Sequence, residues 1–267
     1  MPQAATILRV ISVIICSIDD SRYEAVLAHY RRVFGPHPHE FVRIADARSL
    51  AEGYNRGIDR ARGDTLVFSH DDVEPLCDDL GDRLLRYLGD HDLLGLAGTT
   101  KLIGPKWVNA GPPYLVGQIA QVNRSAGGWD VCIWGTPQPC VGGIQAMDGV
   151  FLCVKRELAR SLRFDQTTFD GFHLYDLDFT FRAYLAGARL AVCCDLAFIH
   201  ASMGEFGTSA WTRYAQAFVR KHQAALPPTP MREWTAAGVR VHTREQLLEV
   251  MTPLWWGSSR GVRTKVC

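Results

Sequence analysis

Two kinds of apolar pattern alternate through the first hundred residues, and this alternation restricts the fold more than any other feature of the chain. Residues 10–18, VISVIICSI, form a continuous run rich in Val and Ile, as in a strand buried on both faces. Ser21-Arg22-Tyr23-Glu24 then has capping-box form and opens a helix with Tyr23, Val26, Leu27, Tyr30 and Phe34 on one face, stopped by Gly35-Pro36. Residues 40–45 read as a second strand ending at Asp46. Ser49-Leu50-Ala51-Glu52 repeats the capping box before a helix carrying Leu50, Tyr54, Ile58 and Ala61, closed by Gly63. A third strand at 65–68, a helix face of Leu80, Leu84, Tyr87 and Leu88, and a fourth strand at 93–97 continue the series. Strands joined by crossover helices imply a parallel sheet.

The pattern then changes. Residues 104–143 hold many Gly and Pro, three tryptophans (Trp107, Trp129, Trp134) and little periodicity, so they read as a long irregular segment with a functional use. Regular structure returns with a strand at 149–154, a short helix at 155–162, a helix from about Tyr175, strands at 188–194 and 196–200, and a last helix face of Trp211, Tyr214, Ala215, Phe218, Val219 and His222. Residues 226–230, LPPTP, are the best linker, which divides the chain into a main domain over 8–225 and a C-terminal appendage over 226–267. Within the main domain, 8–100 and 101–225 read as two halves.

With 47% hydrophobic and 21% charged residues, the 267-residue chain has the composition of a packed globular protein. A formal charge of +1 gives no electrostatic footprint for nucleic acid. None of the eight cysteines forms a C-x-x-C pair, and Cys16, Cys153, Cys193 and Cys194 lie in apolar runs, which suits buried free thiols in a cytoplasmic protein. A bridge or shared metal at Cys132 and Cys140 is the other reading. The first apolar run is too short to span a bilayer and reads as a core strand, not a leader. Trp255-Trp256 with Arg260, Arg263 and Lys265 could touch a membrane surface or pack on the main domain.

Carboxylates stand at the predicted strand ends: Asp19 and Asp20, Asp46, then Asp71 and Asp72 within SHDDV. Parallel strands bring these ends to one edge, where ligands bind. Asp20 fits a helix cap and Asp19 suits either role, but one cap needs one carboxylate, and the adjacent pair asks for a cation. In YDLDF, Asp178 and Arg182 are spaced for an i,i+4 pair, whereas Asp176 has no such partner and is either a helix-dipole residue or a presented base. His200 ends a strand as a packed residue or a ligand.

Taken in order, ARGDTLVFSHDDV, FDGFHLYDLDFTFRAYLAGARL and DLAFIH, with SVIICSID and EGYNRGIDRARGD before them, resemble the family-2-like nucleotide-sugar glycosyltransferases of the GT-A fold. The HDDV and YDLDF forms resemble the branch named for the streptomycin-biosynthesis protein StrF, over about residues 10–220. The resemblance implies an α/β fold with a mostly parallel central sheet flanked by helices. It implies an inverting, metal-assisted transfer from a nucleotide-diphosphate sugar, a UDP-sugar favoured, to a carbohydrate or other hydroxyl acceptor. It assigns a divalent cation (Mn²⁺ or Mg²⁺) to Asp72 and His200, the nucleotide sugar to Ser17, Asp46, Asn55 and Asp71, and the base to Asp176. Trp107, Trp134, Asp148 and Asp178 fall on the acceptor side, where the tryptophans either stack on sugar or only pack. Three residues depart from the family pattern. His70 replaces the first Asp of D-x-D, Tyr175 a Glu before the base, and Tyr54 a basic residue before Asn55; the first departure leaves metal dependence open. A nucleotidyltransferase, a degenerate sugar-binding protein and a phospho-receiver domain are the alternatives, the last leaving 149–200 without a role.

Overall fold

The computed structural model describes residues 10–135, 138–202, 206–228 and 238–251. The chain runs β1 (Ile11–Cys16), α1 (Asp20–Phe34), β2 (His39–Ile44), α2 (Leu50–Arg60), β3 (Thr65–Ser69), β4 (Val73–Pro75), α3 (Leu80–Asp90), β5 (Leu93–Gly95) and β6 (Ala97–Thr99). A 3₁₀ turn, Trp107–Ala110, precedes β7 (Leu115–Val122), β8 (Trp129–Trp134), β9 (Cys140–Gly142), β10 (Ala146–Met147) and β11 (Phe151–Lys155). Then come α4 (Arg156–Leu162), α5 (Tyr175–Leu185), β12 (Leu190–Cys193), β13 (Phe198–His200), α6 (Ser209–His222), β14 (Val239–Val241) and α7 (Arg244–Met251).

These strands form two sheets. The first has the order β2-β1-β3-β11-β5-β12-β9, and the second β10-β6-β7-β13-β4, with β8 on β7 and β14 on β8. The first sheet is mixed. β1 pairs in parallel with β2 and β3, and β12 with β5, but β11 runs antiparallel between β3 and β5, and β9 antiparallel to β12. The mostly parallel sheet is therefore corrected to a mixed one. Residues 148–150 return the chain from the second sheet through a short link, so β11 enters the first sheet reversed, and apolar periodicity carries no strand direction.

Helices α1 and α3 cover one face of the first sheet around Tyr30, Phe34, Leu80 and Leu84, while α2, α4, α5 and α6 cover the other around Tyr54, Ile58, Phe179 and Phe218. Each fully buried side chain of this size contributes about 1.5–3 kcal/mol. Close packing of α2 on β1 explains Gly57, since a Cβ there would stand 2.1 Å from Ile14 Cγ2. The Ser49 cap forms as expected, accepting from the Glu52 N–H at 3.1 Å, worth about 1 kcal/mol. The first helix starts differently: Asp19 is the cap, accepting from the Arg22 N–H at 2.9 Å. Asp20, expected as a cap, instead pairs with Arg43 at 2.7 Å.

Two further expectations change. The strand predicted at 93–97 splits, β5 in the first sheet and β6 in the second. The segment 104–143 is not irregular throughout, because β7, β8 and β9 lie within it. Its Gly117 has φ +122° and sits against the Leu96 carbonyl, where a side chain would collide. Beyond residue 226, β14 pairs with β8 and α7 buries Leu247 and Met251 beside Ala120 and Val131. Trp255, Trp256, Arg260, Arg263, Lys265 and Cys267 lie outside the described residues, as do Thr229 and Pro230 of the linker. Among the described residues no helix is long and apolar enough to cross a membrane, and the described cysteines, Cys132 and Cys140 included, are free thiols.

Candidate active site

The chain passes from the first sheet to the second at β3–β4 and back at β10–β11, and the end of β13 and the start of α5 lie beside these two links. SHDDV is the β3–β4 crossing. The His70 N–H donates to the Val150 carbonyl (3.1 Å) and the Ala201 N–H to the Asp72 carbonyl (2.9 Å), which ties the acidic motif to the β11 entry and to the end of β13. In register, His200 lies opposite Val73.

Three side chains meet there. His200 Nε2 is 3.3 Å from Asp72 Oδ1, His70 Nδ1 is 3.3 Å from His200 Nε2, and His70 Nδ1 is 4.0 Å from Asp72 Oδ1. These are ligand atoms spaced to share one metal ion. Burial alone would raise the Asp72 carboxyl, but hydrogen bonds from His200 and Ser202 and the nearby imidazoles hold it well below the usual carboxylate range. Burial, then the neighbouring His200, lowers the His70 imidazole. A carboxylate kept ionised and an imidazole kept neutral suit a divalent cation, so the donor set fits a metal.

On the β1 side, the Ser17 hydroxyl donates to Asp71 Oδ2 at 2.7 Å. Asp46 stands out at the sheet edge, its side chain 76% exposed and paired with Arg56 at 2.7 Å. That ion pair lowers the Asp46 carboxyl. Ile18, next to Ser17 in the chain, is 85% exposed.

On the other side of the histidines, a cavity of about 360 Å³ is lined by His70, His200, Asp148, Asp176, Trp107 and Trp134 among others. Asp176 occupies the first turn of α5, entered through Leu174, which adopts the left-handed conformation (φ +62°). Such a turn at a non-glycine costs about 1–3 kcal/mol and is held by its surroundings. Burial, then the charge of Asp148, pushes the Asp176 carboxyl up to about 7. Asp148 is itself held by the Val150 N–H (3.0 Å) and the Trp107 indole N–H (3.3 Å). Trp107 packs edge-on against Trp134, ring centroids 5.3 Å apart. The two tryptophans therefore wall the cavity and pack together at once.

The structure places two of the expected site residues in interior contacts. Asp178 does not reach the cavity. It is fully buried and bound by Arg182 Nε (2.7 Å), Lys221 Nζ (2.7 Å) and His222 Nε2 (2.8 Å), so it joins α5 to α6. The pairing with Arg182 exists, but in the interior. Asn55 is also buried, its amide donating to the Phe164 carbonyl (2.9 Å) and Gln166 Oε1 (3.0 Å) while its oxygen accepts from the Phe164 N–H (2.9 Å). With its amide held in that way, Asn55 anchors the loop at Phe164 and Gln166.

Two residues treated as departures from the pattern turn out to touch. His70 Nε2 is 3.0 Å from the Tyr175 hydroxyl, and His70 itself is a member of the ligand triangle. The imidazole beside the acidic pair was the available signal for His70; for Tyr175 there was none.

Among solved structures the chain is similar to the mannosyltransferase PcManGT from Pyrobaculum calidifontis in complex with GDP-Man and Mn²⁺ (16% identity over 85% of this chain and 65% of that one, TM-score 0.47). It is similar also to S. aureus TarS 1-349 in complex with UDP (14%, 78% and 65%, TM-score 0.45) and to A197 from STIV (14%, 73% and 86%, TM-score 0.43). The chain thus spans just under two thirds of the first two. No curated protein matches it. The acidic crossing, the terminal His200 and the acid-bearing start of α5 all fall inside residues 12–222, which match a family model described as "Glycosyltransferase like family", and the chain belongs to that family.

Proposed function

We propose that the protein transfers a sugar from a nucleoside-diphosphate donor to an acceptor hydroxyl, with inversion at the anomeric carbon. The observation that carries this reading is Asp176, a half-buried carboxyl that desolvation and the neighbouring Asp148 push up to about 7, facing a cavity that His70 and His200 also line. A base with that pKa is matched to proton abstraction at neutral pH.

In this reading Ser17 and Asp71 receive the ribose side of the donor and Asp46 the nucleobase. His70, Asp72 and His200 would hold a divalent cation, which when bound supplies positive charge to the leaving diphosphate. The acceptor lies in the cavity against Trp107 and Trp134, whose faces suit a sugar ring. Asp176 takes the acceptor proton as the hydroxyl oxygen bonds to the anomeric carbon and the bond to the diphosphate oxygen breaks. Asp148 and burial keep Asp176 basic enough for that proton. A single displacement from the face opposite the leaving group inverts the centre.

The test is nucleotide release from UDP-sugars and then GDP-sugars with a panel of hydroxyl acceptors, the anomeric configuration of the product read by NMR. An inverted product whose formation is lost in Asp176→Asn supports the proposal. A retained configuration, or full turnover by Asp176→Asn, overturns it. Release of inorganic diphosphate from a nucleoside triphosphate and a sugar phosphate would make the protein a nucleotidyltransferase instead.

A further inference from the structure

We infer that Tyr175 sets the His70 ring for metal ligation, and that the His70–Asp72–His200 triangle takes a borderline ion such as Co²⁺ or Zn²⁺ in preference to Mg²⁺. The inference rests on the metal reading of this triangle and not on the identity of any sugar.

The donor atoms are two imidazole nitrogens and one carboxylate oxygen. Imidazole suits zinc, iron and nickel, whereas Mg²⁺ favours oxygen and water. The three ligand atoms stand 3.3, 3.3 and 4.0 Å from one another, within reach of one shared ion. Two of its corners, His70 and His200, also line the cavity, which leaves a further position for a ligand from that side.

Tyr175 decides which nitrogen of His70 is available. Its hydroxyl lies 3.4 Å from the Gly149 carbonyl and 3.0 Å from His70 Nε2. A carbonyl only accepts; with the hydroxyl hydrogen on Gly149, the hydroxyl oxygen accepts from His70 Nε2–H, which is the arrangement we infer. The ring proton then sits on Nε2, and Nδ1 presents its lone pair to Asp72 and His200. Histidine ligands are set in this way by the group that binds their other nitrogen. The hydroxyl is well placed to do so: Tyr175 is buried and its ring packs against Tyr54 and Phe164, centroids 5.8 and 6.1 Å away. The competing arrangement is metal-free. In it Tyr175 donates to Nε2, His70 carries its proton on Nδ1, and that N–H is spent on His200.

The experiment uses the full chain, stripped with chelator and labelled with ¹⁵N-histidine, in the absence of nucleotide and sugar. Long-range ¹H–¹⁵N correlation reads the His70 tautomer, and Co²⁺ titration followed by visible absorption reads the metal. The expected result is His70 protonated on Nε2 and one Co²⁺ per chain with the intense absorption of low coordination number. Zn²⁺ should displace it and a large excess of Mg²⁺ should not. Tyr175→Phe, which keeps the ring, should weaken Co²⁺ about 10–100-fold. His70→Asp should move the preference toward Mg²⁺ and Mn²⁺. A wild-type His70 protonated on Nδ1, absence of Co²⁺ binding, or displacement by equimolar Mg²⁺ would overturn the inference, as would unchanged Co²⁺ affinity in Tyr175→Phe. Failure of sugar transfer alters none of these readouts, so the two proposals fail separately.

Discussion

Asp176 rests against the backbone of Gly149 so closely that a Cβ on residue 149 would stand 2.4 Å from Asp176 Cβ and 2.8 Å from its Oδ2. The same Cβ would lie 2.7 Å from the Tyr175 hydroxyl. Glycine at 149 therefore sets the position of the proposed base and of the residue that holds His70.

Gly149→Ala should force α5 away from the β10–β11 link. A displacement near 1 Å at a reacting group costs on the order of 10²-fold in rate, and overpacking about 1–3 kcal/mol in stability. Steady-state transfer assays with thermal unfolding check both; wild-type turnover would show that α5 yields without consequence.

Asp176→Asn keeps the shape of the side chain and removes the base. Turnover should fall about 10²–10⁴-fold, with nucleotide binding retained in calorimetry. In the wild type, kcat should rise with pH through about 7, because only the ionised carboxyl accepts a proton. Stability moves the other way. The folded carboxyl binds its proton more tightly than the unfolded one, so its contribution to folding declines as pH rises from near 4 to about 7 and is level above that. Asp176→Asn should accordingly gain stability relative to wild type between pH 5 and pH 8, by an amount on the order of a few kcal/mol. Urea unfolding at the two pH values measures it.

Removing the metal should weaken nucleoside-diphosphate binding. Titration with UDP before and after chelation should show the loss. Asp72→Asn should bind UDP equally with and without added cation, having lost the charged corner of the triangle. Metal enhancement that survives in Asp72→Asn would move the ion elsewhere.

Asp178 supplies a structural contrast. It is buried against Arg182, Lys221 and His222, and burial opposed by the His222 hydrogen bond and these charges leaves its carboxyl below the ordinary value. Asp178→Ala strands those partners and should cost about 3–5 kcal/mol. Stability from this group is present above the unfolded carboxylate pKa and is lost as pH falls toward the lower folded one. Chemical denaturation checks the loss, and UDP affinity should be unchanged in whatever fraction remains folded.

Much of the architecture is legible along the chain because the interactions that specify it are local. Buried runs such as ISVIIC, the Ser49 cap and the apolar face of α1 depend on neighbours a few residues away. Strand direction depends on how the chain returns to a sheet, so the apolar run of β11 shows a strand but not its antiparallel place. The break between β5 and β6 was hidden for a similar reason: LLGLA is apolar throughout, and only pairing with different neighbours divides it. Asp178 shows the same limit in side chains. Its spacing to Arg182 was visible, but not that α6 would close over both.

By itself the sequence determined the kinds of groups available: strand-ending carboxylates, a histidine beside them, and an acid at the start of a late helix. Residue type and short spacing suffice for that. Tertiary structure alone decided which of these groups meet. His70 reaches His200 across 130 residues of chain and Tyr175 across 105. Both contacts arise where the β3–β4 and β10–β11 links meet the end of β13 and the start of α5. Their geometry follows from the register of two sheets, a long-range property to which no single segment of the chain is committed.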